Sequence, residues 1–216
     1  PSLLAAADDS DVQVRAAALV ALGSAVRPGE LGFLVSRVVE PKSGDDAQVA
    51  AQALLAAASR MPDREACAAQ LAAAMANASL PAKCSILEVL GAMNGAKALA
   101  TLGRAAKDPS PELQDAASRL LGDWMSVDAA PVLLDLAKTA PEAKYRVRAL
   151  RGYIRLVRQF PVPDAQRADM CRAALDAATR NEEKALVLEV MERYPSIDML
   201  KLAVDAGKTP AMKNDA

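Results

Sequence analysis

The chain has 216 residues, of which 52% are apolar, 3% are aromatic and none is histidine, and its 26 bases and 27 acids leave a net charge of −1. This balance excludes a generally basic nucleic-acid binder, and the absence of histidine excludes Ser-His-Asp and Cys-His catalysis and the usual zinc sites. No apolar run reaches the roughly 18 residues that a membrane-spanning helix needs, so we expect no membrane segment.

The stretch from Asp11 to Gly23, DVQVRAAALVALG, predicts an amphipathic helix. Asp11 is a suitable N-cap, because its side chain can accept hydrogen bonds from free N–H groups at the start of the helix. Apolar residues then recur at intervals of three and four, which places them on one helical face: Val14, Ala17, Ala18, Ala21, Leu22 and Ala25. One helix cannot bury such a stripe alone, so the pattern predicts copies stacked beside it.

Five later stretches repeat this pattern. Aligned on position 15, the equivalent positions are 50, 83, 114, 146 and 184, which gives successive spacings of 35, 33, 31, 32 and 38 residues. A period of this size accommodates two helices and two turns. No segment shows the sustained alternation of a β-strand. The chain is therefore predicted to be all-α, a solenoid of about six antiparallel helix pairs.

Prolines, glycines and short polar residues separate the predicted helices. In chain order these helices cover about 11–25, 28–39, 46–60, 62–75, a segment ending near 93, 95–106, a segment ending at 124, 126–139, 141–159, a pair over 164–194, and 195–206. Leu3 to Ala7 resembles the tail of a preceding helix, and Thr209 to Ala216 resembles the start of another inner helix. We therefore expect residues 1–216 to form a single array excised from a longer protein, and to be monomeric as a segment.

The motif D-x-x-V-R-x-A-A-L-x-A-L-G in the second helix of a repeat of this length resembles the HEAT-like repeat family, in its short bacterial variety. The tetratricopeptide repeat has a similar length, but its tryptophan, Leu-Gly and tyrosine pattern is absent. The resemblance implies an α-α superhelix of the HEAT/armadillo type and a binding function. Phycobilin lyases and certain alkyl-base DNA glycosylases share this architecture, but no motif of either group occurs in the chain.

The fifth inner helix carries most of the positive charge. Arg146 lies among its apolar positions, as Arg15 does in the first copy, and we interpret both side chains as structural. The other bases fall on one arc of roughly 80° at 100° per residue: Lys144, Arg148, Arg151, Arg155 and Arg158. Residues 1–140 hold 12 bases and 16 acids, a net charge of −4, whereas residues 141–216 hold 14 bases and 11 acids, a net charge of +3.

The resemblance implies that the inner helix of each pair lines a concave face, and the register then predicts the residues of a binding surface there. These candidate binding residues are Arg119, Arg148, Arg151, Arg155, Arg158 and Arg193. Arginine forks suit carboxylates and phosphates, so the predicted partner is a protein or peptide with an acidic segment. The alternative interpretation of this surface is a solvated charged face without a ligand.

We therefore predict a non-catalytic interaction or scaffold module, with no cofactor. One alternative is a structural spacer repeat within a larger multidomain protein, enzymatic or not. A second is a nucleic-acid or phosphate-binding array through the arginine stripe, although few aromatic residues are available to stack on bases. The cysteines Cys67, Cys84 and Cys171 are scattered and odd in number, so they predict buried thiols and neither a disulfide framework nor a metal site.

Overall fold

A computed structural model describes residues 2–207 of the chain, and over this range it contains thirteen α-helices and no β-strand. The all-α prediction is confirmed. Thr209 to Ala216, predicted to start another inner helix, lies outside the described residues. The helices are α1 (Ser2–Ala6), α2 (Val12–Ala25), α3 (Leu31–Val39), α4 (Gly44–Ala58), α5 (Arg64–Ala74), α6 (Leu80–Met93), α7 (Ala96–Ala105), α8 (Pro111–Gly122), α9 (Ala130–Thr139), α10 (Ala143–Gln159), α11 (Asp164–Ala177), α12 (Asn181–Arg193) and α13 (Ile197–Gly207).

The helices fall into the six predicted pairs, from α2 and α3 to α12 and α13. The chain divides into two compact units, 1–120 and 121–216, and the boundary lies near the end of α8. In the first unit α2 packs on α4, α4 packs on α6, and α3 packs on both α4 and α5. In the second unit α10 packs on α9 and α12, and α11 packs on α12 and α13. Each unit is thus built by stacking one helix pair on the next, as expected when no pair can bury its own apolar stripe.

The buried face of α2 differs from the predicted stripe. Val14, Ala17 and Ala25 are exposed, and the buried positions are Arg15, Ala18, Leu19, Leu22 and Gly23. A charged residue, Arg15, thus occupies a position on the buried face that the apolar pattern left out.

Arg15 has the structural role predicted for it. Its guanidinium lies 2.8 Å from the Asp46 carboxylate, and its Nη1 donates to the backbone oxygens of Asp9 and Ser10 at 3.0 and 2.9 Å. The hydrogen bond from the Arg15 guanidinium to the Asp46 carboxylate is the main reason that the pKa of Asp46 lies below its ordinary value. Arg146 repeats the arrangement in the second unit, where Nη1 donates to the oxygens of Ala140 and Pro141 at 2.7 and 2.9 Å.

The turn before α7 is built around Glu65 on α5. The Glu65 carboxylate accepts hydrogen bonds from the backbone N–H groups of Ala96 and Lys97 at 2.8 and 2.9 Å. A residue of α5 therefore caps the start of α7, the outer helix of the next pair. Asn94 and Gly95 reverse the chain there with φ values of 59° and 101°. A glycine suits the second of these conformations, because it has no Cβ.

In the second unit, the backbones of two inner helices approach closely at Gly122 and Gly152. A Cβ added at Gly152 would lie 3.0 Å from Gly122 Cα, so this approach requires glycine. Helix α8 ends at Gly122, two residues before the predicted end, and Trp124 is buried, with 3% of its surface exposed. Helix α10 begins at Ala143, two residues after the predicted start.

Candidate functional site

Helix α10 separates its apolar and basic residues as predicted. Ala149, Leu150, Tyr153, Ile154 and Val157 are buried. The predicted site residues on the same helix lie toward the surface, where Arg151 is exposed and Arg148, Arg155 and Arg158 are half-buried. The helix therefore brings four of the six predicted arginines onto one face, and the individual contacts distinguish their roles.

Arg155 caps the end of α8. Its Nη2 donates to the backbone oxygens of Gly122 and Trp124 at 2.8 and 2.7 Å, and its Nη1 donates to Gln159 Oε1 at 3.0 Å. These carbonyls follow the last turn of a helix and have no intrahelical donor. The guanidinium of Arg155 is therefore engaged with the fold over most of its donors.

Arg151 contacts a buried acid on the next inner helix. Its Nε lies 2.9 Å from Glu183 Oε1, and Glu183 is only 1% exposed, whereas the Arg151 side chain is 51% exposed. Arg180 approaches the second oxygen of the same carboxylate, with Nε 3.3 Å from Glu183 Oε2. Two guanidinium groups thus compensate the buried charge of Glu183. Glu183 holds Arg151 at Nε, while half of the Arg151 side chain is exposed at the surface.

Tyr194 lies beside the C-terminal end of this arginine face. Its hydroxyl donates to the backbone oxygen of Arg158 at 2.7 Å, and the guanidinium carbon of Arg193 lies 5.8 Å from its ring centroid. Within residues 2–207 the Arg158 side chain forms no hydrogen bond or ion pair. Arg158 and Arg193 are therefore the predicted site residues whose charged groups the fold uses least.

Arg148 and Arg119 complete the predicted set. The guanidinium carbon of Arg148 lies 5.9 Å from the Tyr145 ring centroid, and its aliphatic chain passes the backbone at Gly122. Arg119 belongs to the first unit, where its Nη2 lies 3.3 Å from Glu88 Oε1. Both side chains of that pair are more than half exposed, so the pair contributes little to stability.

Two further groups near this face lie outside the predicted set of site residues. Arg167 is buried at the C-terminal end of α10, where it donates to the backbone oxygens of Val157 and Phe160 and lies 4.0 Å from the Tyr194 ring centroid. Sequence reasoning attributes Glu183, together with Glu182, to capping and dipole effects at the start of a helix. The repeat register contains a further signal, because Glu183 occupies the position of Val14 in the template. An acid at an apolar position of a repeat is visible in the sequence once the copies are aligned.

Outside this face, the described residues were compared with the requirements of a metal site, a membrane-spanning helix and a ligand cavity. Among residues 2–207 no group of three or more acidic or cysteine side chains could hold a metal ion, and no helix is long and apolar enough to cross a membrane. A cavity of about 680 Å³ lies between α12 and α13. It is mainly apolar, with Leu188, Met199 and Leu200 in its wall and Glu189 and Glu192 beside them.

In a comparison with protein families, residues 68–153 match the family model described as HEAT repeats. Residues 68–153 contain HEAT repeats. These HEAT repeats form an all-α solenoid fold, which agrees with the resemblance seen in the sequence. A comparison with curated protein sequences gave no significant match.

One solved structure with a similar fold is described as the structural basis of microtubule plus-end tracking by XMAP215, CLIP-170 and EB1. It has a TM-score of 0.58 and 12% identity, and the alignment covers 89% of this chain and 90% of that one. The structure comparison also matches human deoxyhypusine hydroxylase in complex with glycerol, with a TM-score of 0.45, 15% identity, and coverage of 89% of this chain and 84% of that one. At these identities the first likeness shows the fold alone.

Proposed function

We propose that the protein is a non-catalytic interaction module that binds an acidic segment of a partner protein through the arginine face of α10 and the end of α12. The observation that supports this proposal is that Arg151 and Arg158 have guanidinium donors that the fold does not use. Arg151 is half-exposed, and neither its terminal nitrogens nor the Arg158 guanidinium form a hydrogen bond within residues 2–207. Guanidinium groups with unused N–H donors bind carboxylates well.

Arg155 has a different part in this proposal from the one that its sequence position predicts. Because its guanidinium caps the end of α8, we assign Arg155 to holding α10 in place and assign ligand contact to Arg151, Arg158 and Arg193. A charge-reversed Arg155 would disturb the fold as well as the surface. It is therefore unsuitable for testing binding.

A labelled oligoglutamate peptide tests the proposal by fluorescence anisotropy. We expect the wild-type protein to bind it, the affinity to fall with salt, and the double variant Arg151→Ala, Arg158→Ala to lose most of that affinity. The matched control is Arg27→Ala, since the Arg27 side chain is 83% exposed and lies in the first unit. Equal binding by the double variant and the control would contradict the proposed surface.

A labelled random DNA duplex distinguishes the nucleic-acid alternative. Binding to the duplex that is tighter than binding to the peptide, with a steep loss of affinity as salt rises, would favour phosphate contacts by the same arginines. Absence of binding to either probe would favour a second candidate, a structural spacer. The specific observation for the spacer is that Arg146 and Arg155 donate to backbone carbonyls.

A further inference from the structure

Glu183 lies at a position that is apolar in the other five inner helices. Aligned with Lys184 on Arg15, the equivalent residues are Val14, Val49, Ala82, Leu113 and Tyr145. The last three are at most 5% exposed, and Glu183 is 1% exposed. Removing a carboxylate from water is unfavourable, and a well-packed apolar residue usually serves stability as well as a buried ion pair does. Packing alone therefore does not explain an acid at this position.

The contacts of Glu183 indicate another role. It accepts a hydrogen bond from the inner nitrogen of Arg151, Nε, at 2.9 Å, and the terminal nitrogens of Arg151 form no hydrogen bond with any described residue. Glu183 thus holds Arg151 at Nε and leaves both terminal nitrogens of the guanidinium available for a ligand. Arg180 balances the second oxygen of the carboxylate and also lies 3.2 Å from Glu182, so its own charge is largely engaged.

We propose that Glu183 is a positioning residue that holds Arg151 ready to bind a carboxylate of an acidic protein segment with both terminal nitrogens. This inference rests on the proposed function and names the geometry of its ligand. A long arginine side chain otherwise loses rotamer freedom on binding, and restricting it beforehand raises the affinity. Because Nε is already occupied, the ligand oxygens meet the outer fork of the guanidinium.

The substitution Glu183→Leu separates positioning from simple electrostatics, because the two predict opposite signs. Removal of a nearby negative charge by itself would tighten binding of an acidic peptide. Loss of positioning weakens it, and we expect the affinity for the oligoglutamate peptide to fall about three- to tenfold. Glu183→Gln keeps an oxygen acceptor for Arg151 Nε, so we expect it to retain most of the wild-type affinity.

The experiment combines these variants with Arg151→Ala in a double-mutant cycle and follows the folded state by circular dichroism. We expect Glu183→Leu to fold normally, because it restores the apolar residue type of the other repeats, and to have no weakening effect once Arg151 is alanine. A phosphoserine peptide is the second arm, and tighter binding to it than to oligoglutamate would overturn the carboxylate assignment.

Three results would contradict the positioning role of Glu183 or the proposed function. Binding by Glu183→Leu that is as tight as wild type, or tighter, would overturn the positioning role and leave the proposed function in place. Weakening of the same size in the Arg151→Ala background would also overturn it, because the effect would not pass through Arg151. Absence of peptide binding by the wild-type protein would overturn the proposed function and this inference together.

Discussion

Arg155 Nη2 lies 2.8 Å from the backbone oxygen of Gly122, so a side chain of α10 completes the C-terminal end of α8. A related contact occurs in the first unit, where Nη2 of Arg60, which lies two residues beyond the end of α4, donates to the oxygen of Gly23 at 2.7 Å. Residues 23 and 122 are equivalent in the repeat register. In both units, an arginine on or just after the following inner helix therefore donates to a carbonyl near the end of the preceding one.

Arg155→Met should destabilise the fold although it keeps an unbranched apolar stem. The carbonyls of Gly122 and Trp124 would lose their donor, which costs about 1–3 kcal/mol in the free energy of unfolding. Urea denaturation followed by circular dichroism measures the change, with Arg27→Ala as a control expected to stay within about 0.5 kcal/mol of wild type. Equal stabilities for the two variants would contradict the capping role.

Asp46→Asn should change how stability depends on pH. The hydrogen bond from Arg15 lowers the pKa of Asp46 in the folded state, so its carboxylate stabilises the fold above the ordinary pKa of 3.8, and this contribution disappears as the pH falls through the folded value. The variant should lose about 3 kcal/mol at pH 7, because a buried charge loses its partner. Below pH 3.8 the wild-type and variant curves should converge, and parallel curves in urea titrations would exclude this linkage.

Gly95→Ala should be strongly destabilising for its size. The residue has φ of 101°, and an added Cβ would overlap Glu65 Oε1, the oxygen that caps α7. The expected loss is about 1–3 kcal/mol in the free energy of unfolding. Gly29→Ala is the matched control, because a Cβ there meets no atom within 4 Å, and a thermal melt should show little change or a small gain.

The three cysteines should react with iodoacetamide in an order set by burial. Cys84 is partly exposed, whereas Cys67 and Cys171 are buried, and burial raises the pKa of the Cys171 thiol to about 12. Because the thiolate is the reactive form, Cys84 should be alkylated first at pH 8 and Cys171 only after unfolding in urea. Peptide mass spectrometry with time gives the order, and early modification of Cys171 without urea would contradict it.

Local sequence signals were sufficient to predict the helix pairs of this protein. The alanine and leucine spacing of the template, the copies aligned on position 15 and the prolines between them gave the six pairs, because a 3.6-residue apolar period is a local property of the chain. The same local signal was wrong about the buried face of α2. It could not include Arg15, since the partner that draws this side chain inward, Asp46, comes from the next pair.

The sequence also identified α10 as the most basic helix, but its arginines are equivalent in composition and spacing. Their roles depend on groups distant in the chain: the carbonyls of Gly122 and Trp124 for Arg155, and Glu183 for Arg151. Which guanidinium is engaged with the fold and which has donors left for a ligand was therefore decided by tertiary packing. Hydrogen bonds require atoms within about 3 Å, and only the stacking of one helix pair on the next brings these atoms to that distance.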